Sequence, residues 1–161
     1  MTTLVGLQTD LHSLVKNLIE LDFDAIQAYE AAIARTTREA YRRQLREFRD
    51  DHQRHIEELS RVLRDGGRTP PKGPDFKCLL MEGKVVLAGL VSERAILYAL
   101  RTIAKDTNVA YERASRSDAV PLQLRDLLRA SLADERRHRS WLDEQIEGAE
   151  PPYADPGGPS I

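Results

Sequence analysis

The stretch Asp134-Glu135-Arg136-Arg137-His138, with Trp141 and Leu142 just beyond it, places a carboxylate and an imidazole three residues apart inside a leucine-rich helical segment. Positions i and i+3 share a helix face, so Glu135 and His138 can point at one common object. The chain writes nearly the same thing earlier, as Asp51-His52-Gln53-Arg54-His55 with Leu59 beyond it. At an offset of 83 positions Asp51 aligns with Asp134, Arg54 with Arg137, His55 with His138 and Leu59 with Leu142. Upstream of each copy, Ala28-Tyr29-Glu30 and Ala110-Tyr111-Glu112 repeat at an offset of 82. Self-similarity of this kind predicts two related helix pairs facing one another.

Composition agrees with long amphipathic helices. Of the 161 residues, 31% are charged and only 6% aromatic, and the length suits a single domain with a proper core. A net charge of −2, from 24 basic and 26 acidic residues, gives no global field for nucleic acid or an anionic membrane. With Cys78 as the single cysteine no intrachain disulfide can form, and a reducing compartment, the cytoplasm, is the expectation. No secretory signal is read at the N-terminus, and the most apolar window, Leu79 to Val91, is interrupted by Glu82 and Lys84 and falls far short of a bilayer span. Nothing resembles a phosphate loop, a nucleophile elbow or a zinc ribbon.

Taken in order, a first helix is predicted after a cap at Thr9 or Asp10, with Leu11, Leu14, Val15, Leu18, Ala25, Ile26, Tyr29 and Ile33 recurring at the spacing of a buried face. That spacing carries Asp22 inward, where a carboxylate has to be neutralised, hydrogen-bonded or bound to a cation. Thr36 and Glu39 fit a capping box for a second helix, whose inward face reads Tyr41, Leu45, Phe48, His52, His55 or Ile56, Leu59, and Val62 or Leu63, and which stops at Asp65-Gly66-Gly67. A proline- and glycine-containing connection follows to about Lys77. The third helix is expected from about Leu79 to Ala114, with a bend near Gly83 or Gly89, and with Leu97, Leu100, Ala104, Thr107, Tyr111 and Ala114 inward. Pro121 suits the first turn of the fourth, which turns Leu124, Leu128, Ser131, Glu135, His138, Leu142 and Ile146 inward. The domain is drawn as residues 1–149, and the Pro/Gly-rich residues 150–161 as a disordered tail. Short, long, short connections predict an all-α four-helix bundle with one crossover between its second and third helices, as in ferritin-like folds; four helices up and down with a floppy middle loop are the alternative.

Three of the four histidines and two carboxylates thus fall on inward faces, and such groups facing each other in a bundle are what iron, manganese or zinc need as ligands. An acid seven residues before a tyrosine, then a Glu-x-x-His on the next helix, repeated by a second pair, resembles the ferritin-like superfamily of bacterioferritins and rubrerythrins. From about Asp10 to Ile146 the chain is most similar to small uncharacterised bacterial ferritin-like four-helix proteins with Asp-His-x-x-His on the second helix. The resemblance implies a terminal acid at Asp22 and a ligand pair at His52 and His55. In the second half it implies a terminal acid at position 104 and a pair at Glu135 and His138. Asp22 is shorter than the glutamate of the di-iron pattern, His52 replaces a bridging carboxylate, and Ala104 binds nothing. The expected site is therefore a degraded one, holding at most one metal among Asp22, His52, His55, Glu135 and His138, with Tyr29 and Tyr111 orienting the ligands. The competing reading is a metal-free polar network of the same residues.

Asp51, Asp134, Arg54 and Arg137 are expected to be solvated surface charges, and the arginine-rich flanks to be laced by ion pairs with interleaved acids. The excess apolar surface of Val85 to Val91 predicts self-association as a dimer. Two functions stand side by side: a metal-binding ferritin-like protein that oxidises ferrous iron or consumes peroxide, and a non-enzymatic bundle that acts through self-association or a protein partner.

Overall fold

The computed structural model describes residues 3–74 and 92–148, and among them the chain forms four helices and no strand. They are α1 (Leu11–Arg35), α2 (Glu39–Asp65), α3 (Glu93–Arg116) and α4 (Leu122–Gly148). The expected tail, Cys78 and the apolar run Val85 to Val91 lie outside the described residues.

Local chemistry accounts for most of the boundaries. The Asp10 carboxylate accepts from the Ser13 amide at 2.9 Å and caps α1. α2 ends in a Schellman turn: Gly67 sits at φ 69°, its amide bonds the Arg64 carbonyl, and the Arg68 amide bonds the Leu63 carbonyl at 2.8 Å. Two boundaries depart from the sequence reading. The Thr36–Glu39 capping box does not form; Arg38 precedes α2 without a side-chain cap, and Glu93 of α3 accepts instead from the Thr37 and Arg38 amides at 2.8 and 3.0 Å. Nor does the third helix run unbroken from Leu79. Ser92 has an extended backbone and accepts from the Ala95 amide, so α3 starts at Glu93.

Contacts between the ends fix the helix directions. The segment before α1 lies on the end of α3, where Arg113 donates to the Thr3 carbonyl and a Cβ at Gly6 would come within 2.6 Å of the Ala110 carbonyl oxygen. Because Glu93, at the start of α3, meets the α1–α2 turn, α1 and α3 are antiparallel. α2 and α4 are antiparallel too, since Asp51 reaches His138 while His55 reaches Asp134. The 27-residue α2, about 40 Å long, therefore ends far from where α3 begins. The connection between them joins opposite ends of the bundle, which rules out the up-and-down alternative and gives the crossover that the connection lengths predict.

The apolar core is divided in two. Leu14, Leu18, Leu59, Leu63, Tyr111 and Leu128 belong to one cluster. Tyr29, Leu45, Phe48, Leu97, Leu100 and Leu142 belong to the other. Between them each helix contributes a buried polar residue or two: Asp22 from α1, His52 and His55 from α2, Thr107 and Asn108 from α3, and Glu135 and His138 from α4. Phe48 closes one side of this polar layer, its ring 4.2 Å from that of His138 and 5.6 Å from that of Trp141. Phe48→Ala is expected to cost about 3–5 kcal/mol, read as a fall in the denaturant midpoint; a loss well under that range would mean that the ring does not seal the layer.

Candidate metal centre

All five inward polar residues singled out in the sequence are buried, at 0 to 1% exposure. Four of them converge: Asp22, His52, His55 and Glu135 each offer a ligand atom within 4.8 Å of the others. His138 stands beside this group, its Nδ1 3.8 Å from Glu135 Oε2. The converging atoms are Asp22 Oδ1, His52 Nδ1, His55 Nδ1 and Glu135 Oε1. His52 Nδ1 lies 2.9 Å from Asp22 Oδ1 and 3.3 Å from Glu135 Oε1. His55 Nδ1 lies 3.9 and 3.5 Å from the same two oxygens.

Each carboxylate is held from behind. Tyr111 donates its hydroxyl proton to Asp22 Oδ2 at 2.6 Å. Thr107 donates to Glu135 Oε2, and Asn108 donates its amide to the Glu135 backbone carbonyl at 2.7 Å. These contacts leave Asp22 Oδ1 and Glu135 Oε1 facing the histidines. His55 Nδ1 and Glu135 Oε1 make no hydrogen bond despite complete burial, a costly condition unless something answers it.

The outer nitrogens of two histidines are engaged across the α2–α4 seam. His55 donates its Nε2 proton to Asp134 Oδ2 at 3.2 Å, and His138 donates its own to Asp51 Oδ2 at 2.9 Å. Arg54 bonds both Asp51, at 2.8 Å, and Asp134. Arg137 in turn bonds both Asp134, at 2.6 Å, and Asp51. The repeat seen in the sequence is thus a physical two-fold clasp, in which each copy's aspartate serves the other copy's histidine and arginine. The expectation of solvated charges holds for Arg54 and Arg137, which are exposed, and is overturned for the two aspartates: Asp51 is buried and Asp134 half-buried. The aspartates sit one position outside the inward stripe, and only the crossing of α2 over α4 covers them. The signal available in the sequence was their repetition, since a surface pair has no reason to recur with its neighbours.

The second copy is incomplete. At the 82-residue offset Tyr29 is the counterpart of Tyr111, and Ala104 of Asp22. Tyr111 has Asp22 to donate to, whereas the buried Tyr29 hydroxyl has no partner. Of the two tyrosines, only Tyr111 bonds a member of the converging group.

Charge follows from these contacts. Burial opposes protonation of His55, but Asp134, Asp22 and Glu135 outweigh it and lift its pKa to about 10. His52 is raised in the same way, burial being overcome by Glu135 and Asp22. For His138 burial prevails, and its pKa is lowered. Burial would raise Asp22, yet the hydrogen bond with His52 and the neighbouring His55 imidazole hold it below the usual carboxylate range. Asp51 and Asp134 are held down likewise, against their burial, by the opposing histidine and the arginines.

Donors around an ion at 2.0–2.2 Å in tetrahedral array stand about 3.3–3.6 Å apart. The separations of 2.9 to 3.9 Å bracket that spacing. Two imidazoles with two carboxylates are a donor set that iron, manganese or zinc accept.

Residues 10–117 match the family described as Domain of unknown function (DUF2383). No curated protein and no solved structure matches the chain. None of the helices among the described residues is long and apolar enough to cross a membrane.

Proposed function

From a chain that belongs to the DUF2383 family, a family defined without a function, we propose a metal-binding bundle that holds one divalent ion between Asp22, His52, His55 and Glu135. The observation that carries the reading is the pair of buried, unpartnered donor atoms, His55 Nδ1 and Glu135 Oε1, facing Asp22 Oδ1 and His52 Nδ1. In the metal-free protein His52 can donate its Nδ1 proton to Asp22, and the cation takes that proton's place. Iron or manganese would supply one-electron redox chemistry there, of the kind that oxidises ferrous iron or consumes peroxide, whereas zinc would supply Lewis acidity alone.

The chain's own contribution is placement and dryness. Tyr111 and Thr107 fix the carboxylates, and the two apolar clusters close the layer against bulk water. The direction of the helices and the crossover support membership of the ferritin-like superfamily, and Ala104 is the reason for one ion and not two. A reducing cytoplasm, inferred from the lone cysteine, keeps iron ferrous and manganese divalent.

A second reading has its own support. The raised pKa values of His52 and His55 let two imidazolium groups balance two carboxylates with no ion at all. The bundle then acts through self-association or a protein partner. Elemental analysis of protein purified without chelator separates the two. The metal reading expects about one iron, manganese or zinc ion per chain, since a site assembled by folding retains its metal. No ion, even after incubation with ferrous iron or manganese under anaerobic conditions, would overturn it in favour of the polar core.

A further inference from the structure

The α2–α4 clasp is two-fold in form and one-sided in what it reaches. Asp134 and Asp51 make matching bonds, each to the Nε2 of a histidine on the opposite helix and each to both arginines. The rings they hold differ. His55 presents its Nδ1 to Asp22 Oδ1 and Glu135 Oε1, while the equally buried and unpartnered His138 Nδ1 faces Glu135 Oε2, which already accepts from Thr107, and lies outside the four converging donors. A carboxylate accepts only, so it selects the imidazole form with its proton on Nε2 and leaves Nδ1 to bind. Hydrogen bonding to a ligand's far nitrogen fixes the ring and raises its basicity.

We infer that Asp134 is a positioning residue for the metal, acting through His55, and that Asp51 performs the same service for an imidazole outside the ligand set. The inference rests on the metal reading above. It makes Asp51 an internal control: both aspartates are tied to the same arginines, so a purely structural clasp predicts equal consequences from either.

The test is titration of the full chain with Co(II) alone, followed by its visible absorption and by competition with a chelator, for wild type, Asp134→Asn and Asp51→Asn. Asp134→Asn is expected to weaken binding about 10–100-fold, and Asp51→Asn distinctly less. Denaturant midpoints of the metal-free variants, measured alongside, separate a loss of fold from a loss of affinity. Paramagnetic proton NMR of the wild-type Co(II) protein should show a shifted, slowly exchanging imidazole N–H from His55, absent from Asp134→Asn. Should that variant fail to fold, the wild-type resonance decides. Equal losses of affinity in the two variants, or no such N–H in the wild type, would overturn the inference while leaving the metal site standing. Failure of the wild type to take up cobalt would remove the metal reading and this inference with it.

Discussion

Glu135→Gln is expected to leave the bundle folded and empty it of metal. Glu135 is the one residue of the converging four that comes from α4. Its replacement keeps the volume, the bond from Asn108 to the backbone carbonyl and an acceptor for Thr107. What it removes is a negative charge from a site where Asp22 would remain alone beside two imidazoles. Loss of a direct ligand should exceed the about 10–100-fold cost of disturbing an outer partner, so metal content after gel filtration should drop to background. Stability gives an independent reading. Ligand present at about 100 times its dissociation constant adds about 2.7 kcal/mol to the wild type, and this increment should vanish in the variant. A metal-free network predicts instead the same gap between wild type and Glu135→Gln with and without added metal. That outcome would sink the metal reading.

The second large effect is a divergence with pH. In the metal-free protein the pKa of His55 stands at about 10, against about 6.5 for a free imidazole in the unfolded chain. The folded state therefore binds the extra proton. Its stabilisation is complete below about 6.5 and is lost as pH rises through about 10, at up to about 1.4 kcal/mol per pH unit for one proton. His52 is shifted in the same direction and adds to the slope. Metal binding has the opposite sign, because the ligands must give up those protons, so occupancy strengthens as pH rises. Urea denaturation between pH 6.5 and 9.5 should show the chelator-treated protein weakening steadily and the metal-loaded protein holding or gaining. Parallel curves would mean that no ion competes with the protons. At the acid end, Asp22, Asp51 and Asp134 are all held below the ordinary carboxylate range. Their contribution is present above about pH 4 and is lost as pH falls through their lowered values.

The repeat and the inward stripes were legible because they depend on local spacing. Leu97, Leu100, Ala104, Thr107, Tyr111 and Ala114 are all buried as the helical period requires, and so is every inward residue expected of α4. The Schellman turn at Gly67 was readable for the same reason. What escaped depends on residues far apart in the chain. Glu93 caps α2 from more than fifty positions away, and no local rule distinguishes it from the nearer Glu39. Asp51 and Asp134 acquire their role only where two helices cross, so a reading of one helix at a time leaves them on the surface. His138 shows the limit from the other side: its burial was legible, but its standing beside the four converging donors is a matter of ångströms that periodicity does not resolve.

The connection between α2 and α3 has a further consequence. Because it spans from one end of the bundle to the other, it ties two hairpins that each have their own turn and meet chiefly through side chains. Asp22, His52 and His55 ride on the first hairpin and Glu135 on the second. Two chains that traded second hairpins would rebuild the same four donors at each of two centres, with every buried contact intact. Such an exchange costs little when the partner element is identical. The centre is thus indifferent to whether its halves share one backbone, and monomer and swapped pair would differ only in the path of the linking segment and in their dependence on protein concentration.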